Sequence, residues 1–258
     1  FCNNIKIKFK KHTMGNWNYW TERSYYHKEL RDRAKGLKSE MESAKQVANV
    51  IYNEAKSYNS ILDAGCGTGH FILSFERKLQ NDFQYLGIDI TEQHIIDATD
   101  IFKENPNYQF KLGDVRALPV EDKSYEVSIC CNTIPHIPNI DQAIKELIRV
   151  TKNDVFIRML VGNEVLITKK GLSDELDANG EPASFMYVNI YDENYLKRII
   201  GDLGEIKIYD DEFDAAAIMK HYEEHKASAG NNIATRIIDG SQFKGHLMLP
   251  WKIVHIKL

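Results

Sequence analysis

No two of the four cysteines, Cys2, Cys66, Cys130 and Cys131, form a C-x-x-C pair, and no His/Cys cluster stands at metal-ligand spacing. A metal site is therefore not expected. Cys130 and Cys131 are neighbours on an apolar stretch and cannot easily bridge, so reduced thiols in a reducing compartment are expected. The chain lacks the run of roughly 18 apolar residues that a membrane span requires, and it lacks a secretory h-region. Both absences point to a cytoplasmic protein with no membrane partner. Strong charge of either sign is missing as well: the net charge is −4 over 258 residues. Lys6, Lys8, Lys10 and Lys11 fall within the first thirteen residues, where there is no acid. The remainder is more acidic still, which argues against nucleic acid as the main partner. A length of 258 residues suits one α/β domain with a packed core.

What is present is concentrated in one stretch. Ile61-Leu62-Asp63-Ala64 runs into Gly65-Cys66-Gly67-Thr68-Gly69, and Phe71, Ile72, Phe75 and Leu79 follow at helical spacing. This predicts a strand, a tight turn and a helix. Glycine is needed where φ is positive or where something approaches the main chain too closely for a Cβ. A turn at the amino end of a helix also offers unpaired N–H groups to a ligand. Dinucleotide enzymes place G-x-G-x-x-G at such a turn, which here would need glycine at position 70, and position 70 is His70.

The pattern that stands here, D-x-G-x-G-x-G, resembles motif I of the class I S-adenosylmethionine-dependent methyltransferases. Four further tracts carry the resemblance. Leu86-Gly87-Ile88-Asp89-Ile90 and Gly113-Asp114-Val115 place acids at the ends of a second and a third strand. The tract from Leu118 to Ser128, L-P-V-E-D-K-S-Y-E-V-S, is similar to the corresponding passage of the ubiquinone/menaquinone-type branch (type 11). Arg149-Val150-Thr151-Lys152 stands where that branch has "RvLkpGG", with Asn153 and Asp154 in place of the two glycines. The likeness runs from about residue 45 to 162 and fades on either side.

Strands at 61–64, 84–89, 108–113, 125–131 and 155–161 alternate with helices, which predicts a parallel sheet with right-handed crossovers. The expected fold is α/β: a Rossmann-like, seven-stranded, mostly parallel sheet flanked by helices, with amino-terminal lid helices and an insertion before the last antiparallel strand, 251–258. One of those helices, opened by Thr91, is expected to carry Ile95, Ile96, Thr99 and Phe102; another to start at an Asn139/Gln142 capping box. In such sheets ligands bind beyond the strand carboxyl ends, where the glycine turn, Asp89, Asp114 and Asn132 all fall.

The resemblance implies S-adenosyl-L-methionine as cofactor and S-adenosyl-L-homocysteine as product. It implies that Asp63 and the backbone of Gly65, Cys66 and Gly67 hold the methionine end, that Ala64 and Gly69 also belong to the cofactor-binding set, and that Asp89, beside Ile90, takes the ribose hydroxyls. By the same resemblance Asp114 would accept from the adenine amino group, the Val115 amide would face the ring, and Asn132 would lie near the reacting methyl. A carboxylate suits a ribose because it accepts a fork of hydrogen bonds. His136 occupies the place of a general base tuned near neutrality, or of a hydrogen-bonded structural histidine between Pro135 and Pro138. No metal is implied.

The remaining segments frame that core. Residues 1–13 are expected to be a poorly ordered leader, and 14–258 one methyltransferase domain: 14–57 a helical lid, 58–162 the cofactor core, 163–258 substrate-side inserts and carboxyl-terminal strands. Leu37, Met41, Ala44, Ala48 and Ile51 trace one helical stripe, and Trp20, Tyr25 and Tyr26 are either lid residues or packing residues. A long loop from 162 to 189, with Asp174, Glu175, Asp177 and Glu181, precedes a helix over about 192–203 and the acids Asp210, Asp211, Glu212 and Asp214; a further helix is expected at 215–226. These acids and their aromatic neighbours suggest a small-molecule acceptor that is cationic or amine-bearing, or they are solvated loops. The alternatives are an RNA or protein methyltransferase, a nicotinamide-dependent oxidoreductase, or a cofactor-binding protein without turnover.

Overall fold

The computed structural model describes residues 24–258 apart from 81, 173, 213, 217, 218, 220–234, 245 and 246. Residues 1–13, Trp20, most of 215–226, and the side chains of Tyr25 and Tyr26 lie outside the described residues. Helices α1 (Ser24–Ala34) and α2 (Glu42–Glu54) lead to β1 (Ser60–Ala64), α3 (Ile72–Leu79), β2 (Gln84–Asp89), α4 (Glu92–Phe102), β3 (Tyr108–Leu112), β4 (Tyr125–Cys131), α5 (Ile140–Val150) and β5 (Thr151–Gly162). There follow β6 (Lys169–Gly171), β7 (Phe185–Tyr187), β8 (Tyr191–Asp192), α6 (Glu193–Ile200), β9 (Glu205–Asp210), β10 (Thr235–Ile238), β11 (Ser241–Lys244), β12 (Leu247–Met248) and β13 (Trp251–Lys257).

The main sheet runs β3-β2-β1-β4-β5-β13-β9, with the first five strands parallel and β13 antiparallel to both its neighbours. Strands buried on both faces read as continuous apolar runs, and each face has its own core. Leu62, Ala64, Cys130, Val155 and Ile157 pack under α5 through Ile140, Ile144 and Leu147. Ile61, Val127, Ile129 and Phe156 pack under α2 and α3 through Val47, Ile51, Ile72 and Phe75. The 118–123 tract is tied to α5 side chains: Glu146 accepts from the Leu118 amide at 2.8 Å, and Arg149 donates to the Val120 carbonyl at 2.9 Å.

Several sequence expectations need correction. β5 begins at Thr151, directly after α5, so positions 153 and 154 lie inside a strand and need no glycine turn. Asp154 is buried there with its Oδ1 2.7 Å from His255 Nε2 on β13, and the imidazole stacks on Phe156 at 4.4 Å. Helix α4 buries His94, Asp97 and Ala98, whereas Ile96 and Thr99 face out. The buried stripe is displaced because α4 packs on α1 as well as on the sheet: Asp97 faces Arg31, and His94 faces His27. Leu37 is 72% exposed in the break between α1 and α2, where Gly36 has φ +70°. Asn139 caps α5 through the Asp141 amide at 3.0 Å, one residue short of the capping-box position. The 162–189 segment is not a plain loop, since β6 and β7 form an antiparallel hairpin. Before β13, β10, β11 and β12 make a small antiparallel sheet that no sequence pattern announced. Among the described residues no helix is long and apolar enough to cross a membrane.

Candidate functional site

The glycine turn leaves β1 at its carboxyl end, beside the ends of β2 and β4. Gly65, Gly67 and Gly69 have φ of +88°, +55° and +75°, a region that side chains other than glycine rarely adopt. What lies against the turn is largely the protein itself. A Cβ on Gly65 would meet Thr133 Oγ1 at 2.1 Å, and one on Gly67 would meet Leu30 of α1 at 3.0 Å. The expected row of open amides is also partly closed: Gly65 and Cys66 N–H donate to the Ile88 carbonyl at 2.6 and 3.1 Å, and Gly69 N–H to Cys66 at 3.0 Å. Cys66 itself is buried under the turn, its thiol pushed well up by burial.

Asp89, at the end of β2, is the electrostatic centre. Its Oδ2 accepts from Gly67 N–H at 2.9 Å, its Oδ1 from Thr91 N–H at 2.8 Å, and His94 Nδ1 stands 3.3 Å from Oδ1. Burial works to raise the carboxyl pKa, but His94 and the two amides outweigh it and hold it below the ordinary value. Asp63 goes the other way. It is 3% exposed, accepts from Tyr85 Oη at 2.6 Å, and burial together with the Asp89 charge raises it to about 7. Two carboxyls on neighbouring strands are thus set apart, one held as an anion and one near half-protonated at neutral pH.

Around them sit polar atoms with no hydrogen-bond partner among the described residues: Thr68 Oγ1, His70 Nδ1 and His94 Nε2, all out of solvent. Burial presses His70 down to about 3. Such orphans are costly unless something supplies a partner. Helix α1 closes over this region, with Leu30 on Gly67 and the His27 ring 4.4 Å from His94.

The other expected residues are brought to the same edge, each with a qualification. Asp114 follows β3, but Arg116 forks onto it through Nε and Nη2 at 3.1 and 2.6 Å, so its carboxylate is shared; Val115 beside it is buried. Ile90 follows Asp89 and is part-exposed. Asn132 follows β4 with φ +61°, its oxygen held by Arg158. His136 is not tuned near neutrality. Burial lowers it to about 4, opposed by its bond to the Tyr187 carbonyl at 2.8 Å and assisted by Lys244. A carbonyl only accepts, so Nδ1 carries the proton and the lone pair lies on Nε2. Of the acids expected to shape an acceptor pocket, Asp174, Glu175, Asp177 and Glu181 are exposed, with Glu181 paired to Lys169, whereas Asp211 is drawn in to Arg158.

Sequence reasoning missed His94 and Arg158. His94 carried a signal, a histidine in the first turn of the helix that follows the second acid. Arg158 carried a plainer one, a charge within V-F-I-R-M-L-V. Among the described residues no group of three His, Cys, Asp or Glu is placed to hold a metal.

Comparison with known proteins bears on the same span. The family described as "Methyltransferase domain" matches residues 61–154. An uncharacterized methyltransferase, YcgJ, of Bacillus subtilis is 29% identical over 103 residues, covering 39% of this chain and 40% of that protein. Demethylmenaquinone methyltransferase of Lactobacillus johnsonii is 26% identical over 149 residues, 55% of this chain and 61% of the relative. The chain thus spans less than two thirds of either relative. In fold it is similar to phosphoethanolamine N-methyltransferase 2 of Haemonchus contortus, with a TM-score of 0.61 at 12% identity over 96% of this chain and 60% of that one. The glycine turn and the acid closing the second strand fall within the span, residues 61–154, that matches the methyltransferase-domain model, and the strand order surrounds it.

Proposed function

We propose that the protein transfers a methyl group from S-adenosylmethionine to a small-molecule acceptor. The observation that carries this reading is the pairing of a positive-φ glycine turn with an ionised Asp89 that already accepts from the turn's own Gly67 amide. The residues fit the cofactor. Asp89 retains lone pairs for ribose hydroxyls, Asp114 and the Val115 amide suit the adenine, and Asp63 with the 65–67 backbone suits the methionine ammonium. The orphaned Thr68, His70 and His94 atoms add polar partners in the same cradle. When bound, the cofactor supplies an electrophilic methyl on a good leaving group, so this chain's task is positioning and exclusion of water. Helix α1 serves as the lid, because Leu30 lies on Gly67 and must withdraw for a ligand to reach the turn.

His136 is the residue proposed to meet the acceptor. A ring pressed to about 4 stays neutral at physiological pH, which suits it to face an acceptor O–H or N–H. The exposed hairpin acids give no support to an amine-bearing acceptor. The relative named for demethylmenaquinone favours a quinone-type acceptor instead. Calorimetric titration with S-adenosylhomocysteine and, separately, with NADH tests the cofactor; uptake of NADH alone would refute the reading. Labelled-methyl transfer to a panel of quinols, phenols and amines then tests the acceptor.

A further inference from the structure

Arg158 sits mid-strand in β5, 7% exposed, in a stretch that is otherwise apolar. Its Nε and Nη2 donate to Asp211 at 3.0 and 2.8 Å, its Nη1 donates to Asn132 Oδ1, and its guanidinium lies 4.2 Å from the Trp251 ring centroid. Side-chain exposure in the ion pair is 8% and 5%. A buried pair of this kind contributes little net stability compared with apolar residues of the same volume, and its best-attested use is to specify a geometry.

The geometry specified here is that of Asn132. Its amide donates to the Arg158 carbonyl at 3.0 Å while its side-chain oxygen accepts from the same residue's guanidinium, so Arg158 grips it at both ends. A guanidinium only donates, so the atom it meets must be the oxygen and the carboxamide cannot flip. Nδ2 is left as a pair of donors with no acceptor among the described residues, on a part-exposed side chain. The next residue, Thr133, packs on Gly65, which places the Asn132 peptide against the glycine turn.

We propose that Arg158 is a positioning residue: braced by Asp211 and Trp251, it turns the Asn132 Nδ2 group toward the turn as a hydrogen-bond donor for the carboxylate of the cofactor's methionine end. The proposal rests on the cofactor reading above. A donor pair suits a carboxylate and not an ammonium, which leaves the ammonium to Asp63. Gln242 of β11 donates to Asp211 at 3.3 Å, so the inserted sheet braces the same network.

The test is calorimetric titration of the full chain with S-adenosylhomocysteine and with 5′-methylthioadenosine, which shares the nucleoside and thioether but has neither carboxylate nor ammonium. Asn132→Asp keeps the size and tolerates positive φ but presents no donor; it should lose about tenfold in affinity for S-adenosylhomocysteine, the scale of a hydrogen bond to a charged group. Its affinity for 5′-methylthioadenosine should stay within about twofold. Arg158→Lys keeps the charge but cannot fork onto Asp211 and reach Asn132 together, and it should show the same selective loss to a smaller degree. If Arg158→Lys fails to fold, Asp211→Asn loosens the guanidinium from its other side and takes its place. Equal weakening of both ligands, or unchanged S-adenosylhomocysteine affinity, would overturn the proposal. An unmodified chain that bound neither ligand would instead remove the cofactor reading and this proposal with it.

Discussion

Replacing Asp63 with asparagine should make the protein more stable at high pH than at low pH relative to the unmodified chain. Asp63 is 3% exposed, and its carboxyl is raised from 3.8 to about 7 by burial and the Asp89 charge, against the Tyr85 hydrogen bond. A folded pKa above the unfolded one means that the folded state holds the extra proton between the two values. Stability from this group is therefore full below about pH 4 and is lost as pH rises through about 7. A shift of about three units corresponds to about 4 kcal/mol of lost stability once the group is ionised. The substituted carboxamide cannot ionise, and its carbonyl can still accept from Tyr85, so the loss disappears while the contact remains. Urea unfolding at pH 5 and pH 8 should show the Asp63→Asn difference growing in the variant's favour by about 2–4 kcal/mol between the two. Any cost of seating the new amide N–H2 group falls on both pH values alike and cancels in the comparison. Parallel stability profiles for the two proteins would refute the raised carboxyl and with it the division of labour between Asp63 and Asp89.

The other predictions are independent of that one. Asp89→Ala should weaken S-adenosylmethionine binding by about 2–3 kcal/mol, the scale for losing a charged hydrogen-bonding group; unchanged calorimetric affinity would dismiss the ribose assignment. His136→Ala should depress turnover far more than cofactor affinity, and because its ring is lowered to about 4, its protonation should not slow the unmodified enzyme between pH 8 and pH 6. An acid limb near pH 6.5 that vanishes in the variant would contradict this. Gly65→Ala should cost about 2–4 kcal/mol in thermal or urea unfolding, combining an unfavourable φ with a clash at Thr133. Adding Thr133→Ala should recover the steric part and leave the conformational part. Asp154→Ala should cost about 1–3 kcal/mol, since it leaves the buried His255 Nε2 without its hydrogen-bond partner; an unchanged unfolding free energy would show that the contact is dispensable.

The sheet was legible because its parallel strands are apolar runs bounded by turn residues, and the Asp63-to-Gly69 stretch located the cleft. What stayed hidden depends on contacts between distant segments. The true face of α4 is chosen by α1, which contributes His27 and Arg31 from much earlier in the chain, so the helix's own periodicity misplaced it by one position. The missing glycines at 153 and 154 looked like a departure from pattern, yet both positions lie inside β5, and Asp154 is matched there by His255, far downstream. The inserted β10–β12 sheet is short and half-exposed, too weakly patterned to distinguish from loop. Of the site, acids at strand ends could be named, but whether a carboxylate is free or already engaged, as Asp114 is by Arg116, follows only from side-chain placement.

β13 is inserted antiparallel between β5 and β9. Without Trp251–Lys257, among the described residues β5 has no neighbour along its outer side and β9 has none within the sheet. Any state in which that segment is out of place therefore carries two open hydrogen-bonding rims, which invite pairing with other chains. One seven-residue segment covers both rims and brings His255 to Asp154.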